Sequence, residues 1–185
     1  DCLGPVTAEV ASATGLPPET LVFCGIHDSN ASLLPHLHTQ SGPFSVVSTG
    51  TWVVVMAVGG RPTRLDPGRD TLVNVNAFGD PVPSARFMGG REWEMTRPDP
   101  TPEPAPVSAL LDRGIFLLPS IVPGSGPYPG HKAEWTGPDD RSPREQTTAL
   151  SLYLAMMTAT CLDLIGTDGP TLIYANPGWA WARSL

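Results

Sequence analysis

Apolar residues are grouped in short runs, with polar chemistry at their ends. Leu21-Val22-Phe23-Cys24-Gly25-Ile26 has the composition of a buried strand and stops at His27-Asp28. Ser29 to Leu34 begins like a helix, with Asp28 or Ser29 available as N-cap and Pro35 as the stop. A second run, Phe44 to Val47, enters Ser48-Thr49-Gly50-Thr51 and continues as Trp52 to Val58 before Gly59-Gly60. That pattern predicts strand, tight polar turn, strand.

The rest of the chain is arranged around that unit. Val6 to Gly15 predicts a short helix stopped by its glycine. Arg61 to Asp70 is a polar loop, Leu72 to Ala77 alternates as a half-buried strand, and Val82 to Phe87 returns as its partner across Gly79-Asp80. Gly89-Gly90 is expected in loop geometry, with a ligand-facing turn as the alternative, and Arg91 in a surface ion pair with Glu92 or Glu94, with a sugar or phosphate contact as the alternative. Residues 97 to 107 form a proline-rich connector. Ile115 to Leu118 predicts another buried strand, and Pro123 to Gly130 a loop. Between Arg144 and Ile165 apolar residues occupy most of a helical circumference, the pattern of a helix buried on several sides, with Met156 and Met157 as core. Gly166 ends it and Thr171 to Tyr174 is the last strand.

Composition narrows the classes of partner. A net charge of −7, with no basic run, argues against nucleic acid and anionic membrane surfaces. No apolar run reaches the roughly eighteen residues of a membrane span, and a cytoplasmic location is expected. Cys2, Cys24 and Cys161 are widely spaced and unmatched, which fits reduced thiols, with Cys24 and Cys161 as small buried apolar side chains. His131 has no partner at ligand spacing, and no metal held by side chains alone is expected.

Two features carry chemistry. A carboxylate such as Asp28, between a strand end and a helix N-terminus, can be a simple cap or can accept a proton from an alcohol. Thr49-Gly50-Thr51 can be an ordinary turn, or hydroxyls and a close-approaching backbone can hold phosphate there. Together they are the parts of a phosphoryl transfer to a hydroxyl group.

Cys24-Gly25-Ile26-His27-Asp28-Ser29-Asn30-Ala31-Ser32, followed by Val47-Ser48-Thr49-Gly50-Thr51-Trp52, resembles the domain junction of FGGY-type carbohydrate kinases. The wording is most similar to the branch acting on rhamnulose and fuculose. Phe87 to Glu94 and the helix from Leu150 to Ile165 are also similar to family segments. The resemblance implies an α/β fold of the actin-like, hexokinase-like (ribonuclease H-like) kind, a mixed sheet flanked by helices and here incomplete. Residues 1–40 would end the N-terminal sugar-binding domain and 41–185 would form part of the C-terminal nucleotide-binding domain. It also implies ATP and Mg2+, a ketose substrate, Asp28 as the base, His27 and Ser29 as sugar contacts, and Thr49, Gly50 and Thr51 at the nucleotide phosphates.

The family's Asp-x-Gly-Thr phosphate loop has no counterpart in these residues. A missing N-terminal kinase domain, or a homo-oligomer, is expected to complete the site. Ala175 to Trp181 departs from the family's adenosine loop, and its two tryptophans are read as facing a missing partner or as an altered end. The alternatives are a non-catalytic fragment or pseudokinase that binds a sugar or a protein partner, and an unrelated α/β binding domain with a capped Asp.

Overall fold

Alternation along the apolar strands gives a sheet two faces, and each needs a cover. A computed structural model describes residues 1–174 of the chain. The elements are β1 (Cys2–Pro5), α1 (Ala8–Thr14), β2 (Leu21–Phe23), α2 (Asp28–Ala31), α3 (Leu34–Thr39), β3 (Phe44–Thr49), β4 (Val53–Val58), a 3₁₀ turn (Pro67–Arg69), β5 (Thr71–Val75) and β6 (Pro81–Phe87). There follow α4 (Gly89–Thr96), α5 (Val107–Arg113), β7 (Leu117–Leu118), β8 (Glu134–Trp135), α6 (Pro143–Leu164) and β9 (Thr171–Tyr174). The predicted α/β class, a mixed sheet flanked by helices, is what is found.

The main sheet has five strands in the order β5-β6-β4-β3-β9. Its neighbours are antiparallel except β3 and β9, which run parallel and align Ser45 with Thr171. On one face Val47, Val53, Val55, Ala85 and Phe87 pack with Leu150, Tyr153, Leu154 and Met157 of α6. On the other, Phe44, Val46, Met56 and Val82 close around Leu33, between α2 and α3, with Leu37 of α3 against them. By length and composition α6 could cross a membrane, but it is packed on the sheet as a core helix.

Several expectations are corrected. Leu21, Val22 and Phe23 are 56, 38 and 65% exposed, because β2 pairs with β1 alone. Cys24 is exposed for the same reason, whereas Cys161 is buried. Pro35 starts α3 instead of ending a helix, since a first-turn proline gives up no helical hydrogen bond. Gly89-Gly90 opens α4, where an added Cβ on Gly89 would lie 2.6 Å from Val53 Cγ2. Arg91 pairs with neither glutamate: Glu94 is taken by Arg97, and Glu92 is buried under α6. Met156 is 55% exposed, on the outer side of α6. The reading of Ala175 to Trp181 lies outside the described residues.

Two glutamates give stability opposite pH dependences. Glu145 closes the capping box of α6. The Ser142 hydroxyl and N–H, then Arg113, hold its carboxyl at about 2, below the ordinary 4.5. A depressed folded-state pKa contributes stability above 4.5 that is lost as pH falls toward 2. Burial pushes Glu92 up from 4.5, against hydrogen bonds from Val122 N–H and Tyr153 OH. Its contribution is therefore greatest below 4.5 and declines as pH rises past that value. Denaturant titrations across pH should show Glu145→Gln flattening the acid limb and Glu92→Gln flattening the limb above it. Unchanged slopes would refute both assignments.

Candidate functional site

The helix start that carries the acidic motif is built by its own first residues. His27 occupies the cap position with extended backbone, and its Nδ1 accepts from Ser29 N–H at 3.3 Å. Asp28, the first helical residue, accepts from the same N–H at 2.7 Å through Oδ1 and from the Ser29 hydroxyl at 3.4 Å. The cap is thus His27, and not Asp28 or Ser29 as expected. The Asp28 carboxylate is 92% exposed, with His27 Nδ1 3.0 Å away.

His27 and Ser29 line a cleft of about 160 Å³, together with Val54, Leu72 and four polar residues: Asp70, Asn74, Ser84 and Arg86. Strand register explains the set. Val54 stands opposite Arg86 and Leu72 opposite Ser84, all on the face that α2 and α3 cover only in part. Asn74 donates to the Ser84 hydroxyl at 3.1 Å, which donates to the Val82 carbonyl at 3.0 Å. A wall of carboxamide, hydroxyl and guanidinium groups over an apolar floor suits a small polyhydroxylated molecule.

The second motif forms the β3–β4 turn. Gly50 N–H donates to the Trp52 carbonyl at 2.8 Å, and the Thr51 carbonyl accepts from Arg91 N–H at 3.3 Å, tying the turn to the start of α4. Thr49 is buried, and its hydroxyl donates to the Tyr174 carbonyl at 3.1 Å, clasping β3 to β9. Thr51 is exposed. The turn does not line the cleft, but the Arg86 guanidinium, which does, lies 4.7 Å from the centre of the Trp52 ring. The two motifs flank one residue that neither contains.

Asp70, Asn74, Ser84 and Arg86 were not legible as site residues. Their signal was weak: Asn74, Ser84 and Arg86 are polar side chains on strands that also carry apolar Leu72 and Val82 on that face, and Asp70 sits in the turn just before β5. Asn30 was also missed; it is 3% exposed and its Oδ1 has no hydrogen-bond partner, a costly arrangement for a buried carbonyl. Among the described residues no three His, Cys, Asp or Glu side chains gather to hold a metal ion.

Residues 30–174 match the family described as "Carbohydrate kinase FGGY, C-terminal domain". Among solved structures, the chain is similar to a carbohydrate kinase from Novosphingobium aromaticivorans, with 39% identity and a TM-score of 0.71 over 95% of this chain and 42% of that one. It shares the fold of a ligand-bound xylulose kinase from Lactobacillus acidophilus, at 14% identity and TM-score 0.66, covering 99% of this chain and 40% of that one. A xylulose kinase from Rhodospirillum rubrum has 21% identity and TM-score 0.58, over 99% and 46%. The chain therefore spans less than half the length of these relatives. No curated protein matches it.

Proposed function

This chain belongs to the FGGY carbohydrate kinases, carrying the family's C-terminal domain over residues 30–174, and from that premise we propose that the full-length protein transfers the γ-phosphoryl group of ATP to a hydroxyl of a ketose. The observation that carries the reading is the placing of Asp28 between His27 and Ser29, which wall a polar cleft that Arg86 and Trp52 connect to the Ser-Thr-Gly-Thr turn.

In this proposal the Asp28 carboxylate takes the proton of the attacking hydroxyl, while His27 and Ser29 orient the sugar by hydrogen bonds. Thr51 and the Gly50 backbone meet the nucleotide phosphates, and Thr49 holds the turn in place from β9. Magnesium enters with those phosphates, the usual mode in phosphoryl transfer, without a side-chain cage. Residues 1–40 close the sugar-binding domain, with α2 and α3 docked on the nucleotide-binding part. The His-Asp-Ser wording favours a 6-deoxy ketose, and the protein works in the cytoplasm.

The test is ADP release by the full-length protein with Mg-ATP and rhamnulose, fuculose or xylulose. Thr51→Val should raise the KM for ATP about 10-fold or more, the weight of a lost hydrogen bond to a charged group, and leave the KM for sugar unchanged. An effect on sugar alone would remove Thr51 from the phosphate site. Sugar binding without turnover would identify a pseudokinase.

A further inference from the structure

Arg86 is held more firmly than a surface arginine needs to be. Asp70 lies in the left-handed region at φ 54, which costs a non-glycine residue about 1 kcal/mol. Its Oδ2 accepts from Gly126 N–H at 2.7 Å and from the Ser125 hydroxyl at 3.2 Å, so the Pro123–Gly130 loop fixes the carboxylate. The other oxygen, Oδ1, accepts from Arg86 Nε at 3.3 Å. The guanidinium also lies against the Trp52 ring. Anchored at Nε and at the indole, it keeps both Nη groups without a protein partner among the described residues, in the wall of the cleft lined by His27 and Ser29.

A guanidinium with a restrained plane and two open Nη donors matches the oxygens of a phosphate better than those of a neutral sugar. Its place decides which phosphate. Trp52 follows Thr51 in the chain, so stacking ties Arg86 to the turn read as the nucleotide-phosphate site. The shared cleft ties it to the sugar side. Asp70 divides its charge between Arg86 and two other donors, so the arginine stays attractive to an anion.

We propose that Arg86 binds the phosphoryl group during its transfer, an inference that rests on the kinase reading. As the sugar oxygen forms its bond to phosphorus, the bond from phosphorus to the β–γ bridging oxygen breaks. The hydroxyl proton passes to Asp28, ADP departs with the bridging oxygen, and the Arg86 N–H groups meet the charge on the equatorial oxygens. Asp70 and Trp52 are positioning residues for Arg86.

The experiment measures inorganic phosphate binding to the full-length protein by calorimetry, without sugar or nucleotide, and the kinetics of the same variants. Arg86→Gln should weaken phosphate at least ~10-fold and lower kcat by ~10²–10³, the loss typical of one missing charge-stabilising donor, with KM for sugar nearly unchanged. Arg86→Lys keeps the charge and should recover part of both. Phosphate affinity equal in wild type and Arg86→Gln, or no phosphate binding by wild type, overturns the proposal. So does a kcat loss that merely follows a lowered Tm in both variants. An inactive protein that binds phosphate through Arg86 supports the assignment of Arg86 and refutes the kinase reading. An active kinase indifferent to Arg86→Gln does the reverse.

Discussion

Asp28→Asn in the full-length protein is expected to lower kcat by a factor of at least ~10² while sugar affinity stays nearly constant, the signature of a lost general base. The geometry makes this substitution a clean one. The Asp28 carboxylate is 92% exposed, and its structural work is to accept the Ser29 N–H at 2.7 Å. Asparagine offers an amide oxygen at the same point, and the two residues serve helix N-termini about equally. Folding should therefore be preserved while the ability to take a proton is lost. Steady-state kinetics, calorimetry with the sugar and a thermal melt separate the outcomes. A fall in Tm that accounts for the lost activity would show a structural carboxylate, and full activity in a folded variant would remove Asp28 from the mechanism.

Gly169→Ala should destabilise the domain by about 3 kcal/mol, combining left-handed strain with overpacking. Gly169 has φ +70, and a Cβ built on it would lie 2.1 Å from the Pro43 carbonyl oxygen and 3.0 Å from its carbon, rigid backbone atoms that cannot swing aside. The position matters because Pro170 O accepts from Ser45 N–H at 2.9 Å, the contact that starts the parallel pairing of β9 with β3. Gly15→Ala is the control. Gly15 has φ +73 but nothing within 4 Å of the built Cβ, so only the conformational cost remains, about 1 kcal/mol. Denaturant unfolding of both variants measures the difference. Equal losses would mean that the Pro43 contact relaxes without cost.

Most of the main sheet was legible because its strands announce themselves locally. Phe44–Thr49 and Val53–Val58 were read within two residues of their ends, Ser48 and Thr49 extending the first strand into what was read as turn, since a β-branched run broken by a small polar turn has one simple folding solution. The long helix was equally clear, read from Arg144 to Ile165 with Gly166 after it, and the structure adds the Ser142–Glu145 capping box that starts it at Pro143. Reading failed where burial depends on something other than the run itself. Leu21 to Phe23 has the composition of a core strand but is exposed, because composition does not say whether a second layer lies over it. Glu92 was read as a surface charge, and only the packing of α4 beneath α6 makes it a fully buried carboxyl bonded to Tyr153.

The sequence by itself determined the α/β class, the two motifs and the family they resemble, because these depend on residue type and short spacing. Tertiary structure decided which residues meet. Asp70, Arg86 and Trp52 lie on different elements, and no spacing in the chain foretells that strand register and a loop at Gly126 will bring a carboxylate, a guanidinium and an indole together between the two motifs. Local pattern fixes an element, but a site forms where several elements pack, and packing is a property of the whole chain.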